Sequence, residues 1–253
     1  TSGNDGIQID GGTLDAVAGD ISLRGSSALD DGVGIQNGAT IQTTSGTISL
    51  NGTSTTVSGN DGVEITGIGT TVTSATGSIS VTGVGFSGDG VDVSSAAVVA
   101  STGTATITIG GTSTAADQAG VRLQDTNTQI TSVDGDVSIT GTNNSNLGAF
   151  VTSGVEISST GTGASAATIT ITGTGDAGID LDTADTLVTS VDGEILLDGN
   201  ANTLEGVLIA DATISSTGTT VDAATVTLDG SSDGAVSVQL DTGSTVTSVA
   251  GNI

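Results

Sequence analysis

Short runs in which an aliphatic residue alternates with Ser, Thr, Asp or Gln recur along the whole chain, the period-two pattern of half-buried β-strands. Three kinds of run follow one another in fixed order. The first comes after a turn and reads Gly-[Val/Ile]-x-[Ile/Leu/Val], as in Gly6-Ile7-Gln8-Ile9, Gly62-Val63-Glu64-Ile65, Gly90-Val91-Asp92-Val93 and Gly178-Ile179-Asp180-Leu181. The second begins at Leu14, Ile41, Val72, Ile130, Val188 or Val246, and the third seven residues later, at Ile21, Ile48, Ile79, Val137, Ile195 or Ile253. No stretch sustains a 3.6-residue apolar period and Gly recurs throughout, so the pattern predicts strands and excludes helices.

These runs belong to an internal repeat. Thr73-Ser74-Ala75-Thr76-Gly77-Ser78-Ile79-Ser80-Val81-Thr82-Gly83 returns as Thr131 to Gly141 and as Thr189 to Gly199, and related copies start at Asp15 and Thr247. The starts at residues 15, 73, 131, 189 and 247 are separated by a constant 58. A looser copy lies midway, at Thr47-Ile48-Ser49-Leu50, Thr106-Ile107-Thr108-Ile109, Thr168-Ile169-Thr170-Ile171 and Thr225-Val226-Thr227-Leu228. The structural unit is therefore about 29 residues, half of the 58-residue double repeat, with three short strands in each of about nine coils. One unit cannot bury its own apolar stripe, whereas stacked units bury a continuous column. Because parallel crossovers are overwhelmingly right-handed, the chain is expected to be all-β, a right-handed parallel β-helix (β-solenoid), and residues 1–253 a single rod roughly 40 Å long at about 4.8 Å per coil. The stretch Asn143-Asn144-Ser145-Asn146-Leu147-Gly148-Ala149-Phe150, ahead of Gly154-Val155-Glu156-Ile157, reads as a loop insertion whose Phe150 covers the column or fills a wide corner. Both ends cut through a repeat without a polar cap, so a longer parent protein or a filament is expected.

Composition sharpens this picture. Of 253 residues 41 are Gly and none is Pro, Cys, Met, Trp, Tyr or His. Proline is unwelcome where every strand is paired on both sides, because each N–H is needed. Glycine suits repeated corners. With 34% hydrophobic residues, mostly Val, Ile, Leu and Ala, the chain has enough apolar surface to fold. Asp and Glu number 28 against two Arg, a net charge of -26 that repels nucleic acid and anionic membranes. No apolar run approaches the roughly 20 residues of a membrane-spanning helix, so membrane insertion is not expected and the chain reads as a mature, soluble piece.

The Thr-Ser-x-x-Gly-[Asp/Ser/Glu]-Ile-x-[Leu/Ile/Val]-x-Gly strand, the Gly/Ser/Thr/Asn stretch after it and the Asn/Asp-Gly-Val-x-Ile restart resemble the repeats of filamentous-haemagglutinin-like surface proteins. They are similar, more narrowly, to the very large β-strand repeat proteins of Gram-negative bacteria, over essentially all 253 residues. That resemblance implies export to the cell surface or beyond, in Gram-negative bacteria, as an adhesin or as fibre material. The partners it implies are a host-cell or neighbouring-cell receptor or glycan, or further copies of the chain, end to end or side by side.

Catalysis is not expected. Polysaccharide-processing β-helices, the enzyme alternative, combine acids with bases and aromatic platforms; here Arg24 and Arg122 lie far apart and read as solvated outward residues. The most site-like feature is a column of acids before the first strand. Asp5, Asp31, Asp61, Asp89 and Asp233 each precede Gly, and Asp176 and Glu205 are placed at the same corner. Stacking would bring such carboxylates to roughly 5 Å, where like charges repel and where calcium, with six to eight oxygen ligands, would fit. The competing reading is ordinary Asp-Gly turn chemistry, and neither the nonapeptide calcium repeat nor the EF-hand loop is present. Calcium is thus the one cofactor considered. The Thr pairs Thr106/Thr108, Thr168/Thr170 and Thr225/Thr227 would order water only if their rows were close, and in alternate coils they stand roughly 10 Å apart. The expected role is a non-enzymatic structural and adhesive rod; the alternative is a calcium-dependent ligand-binding module on the same scaffold.

Overall fold

A computed structural model describes residues 4–55, 59–163, 166–219 and 224–253. Every strand in it pairs in parallel with its counterparts in the neighbouring coils, and no helix occurs among the described residues. Eight complete coils are followed by the first two strands of a ninth. In a representative coil the strands are Val63–Thr66, Thr71–Ser74 and Ile79–Gly85. The second strands form a nine-stranded sheet, while first and third strands together form a sheet of 15. They merge because Val137–Val151 and Ile169–Asp182 each run from the third wall of one coil into the first wall of the next without a break.

Alternation within each strand sends Val, Ile and Leu inward, where they stack on like residues above and below. Val63, Ile65, Val72, Ile79 and Val81 are all fully buried, and the same five positions are aliphatic in coil after coil. At about 1.5–3 kcal/mol per buried aliphatic side chain, this column is the main source of stability.

The register explains the double repeat. Val33 pairs with Val63, 30 residues on, and Val63 with Val91, 28 on. The alternation of 30 and 28 continues through Val121, Ala149, Ile179 and Val207. The shorter coils keep one internal spacing and the longer ones place their two extra residues at different corners, which is why one half of the sequence repeat is strict and the other loose. At the first corner, left-handed backbone recurs, often without glycine, as at Asn37, Ser95, Ala96, Asp125 and Asn127. In each short coil a buried threonine supports this corner. Thr70, Thr128 and Thr186 accept a hydrogen bond from the backbone N–H of Gly38, Ala96 and Gly154 in the coil before, at 3.0, 3.1 and 3.3 Å.

One expectation is corrected here. Residues 143–150 are no insertion: they lie inside the strand Val137–Val151, with a register irregularity between Asn143 and Leu147. The first strand of that coil is Gly148-Ala149-Phe150-Val151, since Ala149 pairs with Val121 and Ile179. The sequence Gly154-Val155-Glu156-Ile157 leads instead into a second strand, with Ile157 beside Ile130 and Val188. Burial of one aliphatic column decides the register, and a Gly-Val-x-Ile string satisfies either wall.

Candidate functional site: an acidic column beside the first wall

The residue before the stacked glycine of each first strand, a place that Ser237 takes in the last coil, is Asp5, Asp31, Asp61, Asp89, Ala119, Leu147, Ala177, Glu205 and Val236 in successive coils. Four of the expected acids therefore form an unbroken ladder and Glu205 stands alone further along. Asp176 and Asp233 do not belong to it. Ala177 occupies the rung next to Asp176, and the loop carrying Asp233 rejoins the register only at Val236-Ser237-Val238.

The ladder is held by backbone amides of the next coil. Asp61 N–H donates to Asp31 Oδ1 and Asp89 N–H to Asp61 Oδ1, each at 2.7 Å, and Ala119 N–H donates to Asp89 Oδ1 at 2.5 Å. The amide one residue later points the other way: Gly32 donates to the Asp61 carbonyl and Gly62 to that of Asp89, both at 3.0 Å. Aspartate fits this corner because its short side chain satisfies an N–H that the sheet ladder leaves over. The expected turn chemistry is present, but it links coils rather than closing one turn.

Three residues further on lies a second row, pointing outward from the first wall: Gly34, Glu64, Asp92, Arg122, Phe150 and Asp180, each in register with the next. Each ladder acid leans toward the second-row residue of the coil after it. Asp5 lies over Gly34, where a β-carbon would collide with its carboxylate. Asp31 is hydrogen-bonded to Glu64, and Asp61 lies against Asp92. Asp89 meets Arg122, whose Nε donates to Oδ2 at 2.6 Å. Arg122 is thus an ion-paired, largely covered residue and not a solvated one. Phe150 covers it from the far side, its ring centroid 5.2 Å from the guanidinium carbon, close enough for a cation–π contact. Arg24 is exposed, as expected.

Burial with like charge shifts these acids strongly. Asp31 is raised to about 6, Asp92 to about 7, Glu64 to about 8 and Asp61 to about 9, desolvation being the largest cause in each and neighbouring carboxylates adding to it. Asp180 is raised to about 6 by burial and by Asp182 and Glu205. Burial works against the charge of Arg122, but the hydrogen bond and charge of Asp89, with Asp92 and Asp61 behind it, outweigh this and raise its pKa. The cluster at neutral pH holds protons as well as charge, and Glu64 in its protonated form donates to Asp31. Oxygen atoms of Asp61, Glu64 and Asp92 lie within 4.8 Å of one another, as do those of Asp5, Asp30 and Asp31. Glu64, Asp92 and Asp30 were not singled out from the sequence. The signal for Glu64 and Asp92 was present in the x of Gly-Val-x-[Ile/Val], and that for Asp30 in its place directly before Asp31, but which neighbour each would meet depended on the register.

The threonine rows are also changed by the register. Thr108 pairs with Ser80 on one side and Ser138 on the other, and Ser138 with Thr170. Serine fills the coil between Thr108 and Thr170, so this row carries a hydroxyl in every coil from Ser22 to Thr170, about 4.8 Å apart, and Leu196 then separates Thr170 from Thr227.

The fold and this column define the class of the molecule, a parallel β-solenoid with an acidic seam. No known protein family, curated protein or solved structure matches the chain.

Proposed function

We propose that this chain is a non-catalytic structural and adhesive rod of an exported bacterial cell-surface or extracellular fibre protein. The observation that supports this reading is the continuity of the scaffold. Parallel pairing in register runs from Ile7 to Ser248 along one aliphatic column. Such a stack transmits position along its axis and resists bending, because each coil is held to the next by backbone hydrogen bonds on three walls. The charge of -26 keeps neighbouring rods apart on their acidic faces. Two Arg and no Lys leave trypsin-like proteases almost no cleavage sites. The test is surface labelling of intact producing cells with an antibody to this segment, with cell adhesion measured after its deletion. Surface exposure and reduced adhesion are expected, and a protein confined to the cell interior overturns the reading.

One observation favours a second reading, a calcium-dependent ligand-binding module: the convergence of Asp61, Glu64 and Asp92 within 4.8 Å. Carboxylate oxygens so placed would supply part of the six to eight ligands of calcium, and their raised proton affinity records how poorly the cluster tolerates its own charge. This reading requires a melting temperature higher in calcium than in chelator by several degrees, lost on Asp61→Asn. Equal melting temperatures remove it.

A further inference from the structure

The second wall carries only two charges among its outward strand residues, Asp15 and Glu156, both acids; the third wall is equally sparse but carries both signs. Its eight third strands, from Ile21–Ser27 to Val226–Ser232, present three outward residues each. Of these 24 positions only three are charged, in a chain with 28 acids. All three stand in the middle row. Arg24 is at one end, Asp198 and Asp229 at the other, and the residues between them are Asn51, Thr82, Gly110, Thr140 and Thr172, joined rung to rung. Arg24 is exposed and makes no ion pair among the described residues. From Ser49 to Thr174 the outward hydroxyls of this wall make no hydrogen bond to any described protein group.

From this arrangement we infer that the third wall is a self-complementary interface on which a second copy of the chain docks face to face, with the two rods antiparallel. A two-fold axis lying along the strand direction turns one wall onto the other, keeps each outward row opposite itself and reverses the order of the coils. Arg24 of each copy then faces Asp229 of the other, twice over, the Asn51 amide faces Asp198, and the neutral rungs between face one another, with Gly110 opposite Thr140 at the centre. A parallel arrangement would set Arg24 against Arg24 and acids against acids. The dimensions suit a stable pair: eight strands at about 4.8 Å and six residue steps at about 3.3 Å give roughly 800 Å² on each copy, the usual size for one side of a specific interface. Association at one hydrogen bond per 100–200 Å² uses only part of the free hydroxyls. The acid seam stays on another wall, and at about 0.15 M salt its repulsion is screened beyond about 8 Å.

Sedimentation equilibrium on the 253-residue chain at that ionic strength tests this. A dimer is expected. Arg24→Glu should raise its dissociation constant at least tenfold, because two opposite-charge pairs become like-charge pairs, and combining Arg24→Asp with Asp229→Arg should restore it. Thr140→Arg, at the centre of the wall and pointing outward, should abolish dimerisation while the β-sheet circular dichroism stays unchanged. The chain has no cysteine, so mixing a Ser26→Cys variant with a Ser231→Cys variant gives a clean readout of direction. Antiparallel docking cross-links the two variants to each other and leaves each alone uncross-linked. A wild-type monomer at the highest attainable concentration overturns the inference. So does a dimer indifferent to both Arg24→Glu and Thr140→Arg, or one in which each cysteine variant cross-links only to itself.

Discussion

Acidification from about pH 8 to about pH 5 raises the melting temperature by about 10 °C. Asp31, Asp92, Glu64 and Asp61 have folded-state pKa values raised to about 6, 7, 8 and 9, whereas unfolded they titrate near 4. Between about pH 4 and about pH 9 the folded chain therefore binds more protons than the unfolded one, and stability falls as pH rises. The stabilisation is complete below the unfolded values and is lost as pH climbs through the folded ones. One extra proton held over three pH units amounts to about 4 kcal/mol, and in a chain of this size each kcal/mol moves the midpoint by about 2–4 °C. Asp20, whose pKa is lowered by hydrogen bonds from Thr47, acts in the opposite sense only at more acidic pH. Asp61→Asn separates the proton from the geometry, since its amide oxygen still accepts the Asp89 N–H. This variant should melt higher than the parent at pH 8 and show a flatter pH dependence. Thermal melts across the range are the check, and a midpoint that rises with pH would refute the account of the seam.

Replacing Gly111 by Ala unfolds part of the rod, while the same change at its neighbour Gly110 is neutral or slightly stabilising. Both glycines lie in the strand Ile107–Ser113. Gly110 points outward, and a β-carbon there meets nothing within 4 Å. Gly111 points inward, where the chain returns to begin the next first strand, and a β-carbon would lie far inside van der Waals contact with the carbonyl oxygen of Gly120. The same pairing closes the other coils, as Gly52 with Gly62, Gly83 with Gly90 and Gly199 with Gly206. Relief requires the backbones of two walls to separate and their ladder hydrogen bonds to stretch, so a loss of about 3 kcal/mol or more is expected for Gly111→Ala. Gly110→Ala should stay within about 0.5 kcal/mol or gain slightly by restricting the unfolded chain. Denaturant melts of the two variants decide it, and equal losses would show that glycine acts here through backbone entropy and not through space.

The sequence disclosed the acid column only in part. Asp5, Asp31, Asp61 and Asp89 precede Gly in the strict frame and were legible, because the rung and the motif coincide there. Asp176 and Asp233 carry similar local strings but sit off the rung, and local spacing does not register that a loop has changed length between coils. Arg122 looked solvated because outward positions of a strand usually are. Its partner Asp89 lies 33 residues earlier, on the preceding coil, and the ion pair at 2.6 Å exists only once the two coils are stacked.

The sequence by itself determined the coil. Two-residue alternation set which side chains point inward, the constant 58-residue period set parallel stacking with three strands per turn, and the absence of Pro accorded with strands paired on both sides. These are local or periodic properties, and a period survives translation along the rod. Which acid meets which partner, that Ser138 joins Thr108 and Thr170 in one hydroxyl row, and that the second and third walls are almost free of charge were decided by the tertiary structure alone. Those facts depend on the register between coils of 28 and 30 residues, and a displacement of one or two residues in a loop changes every diagonal neighbour while leaving the buried column intact.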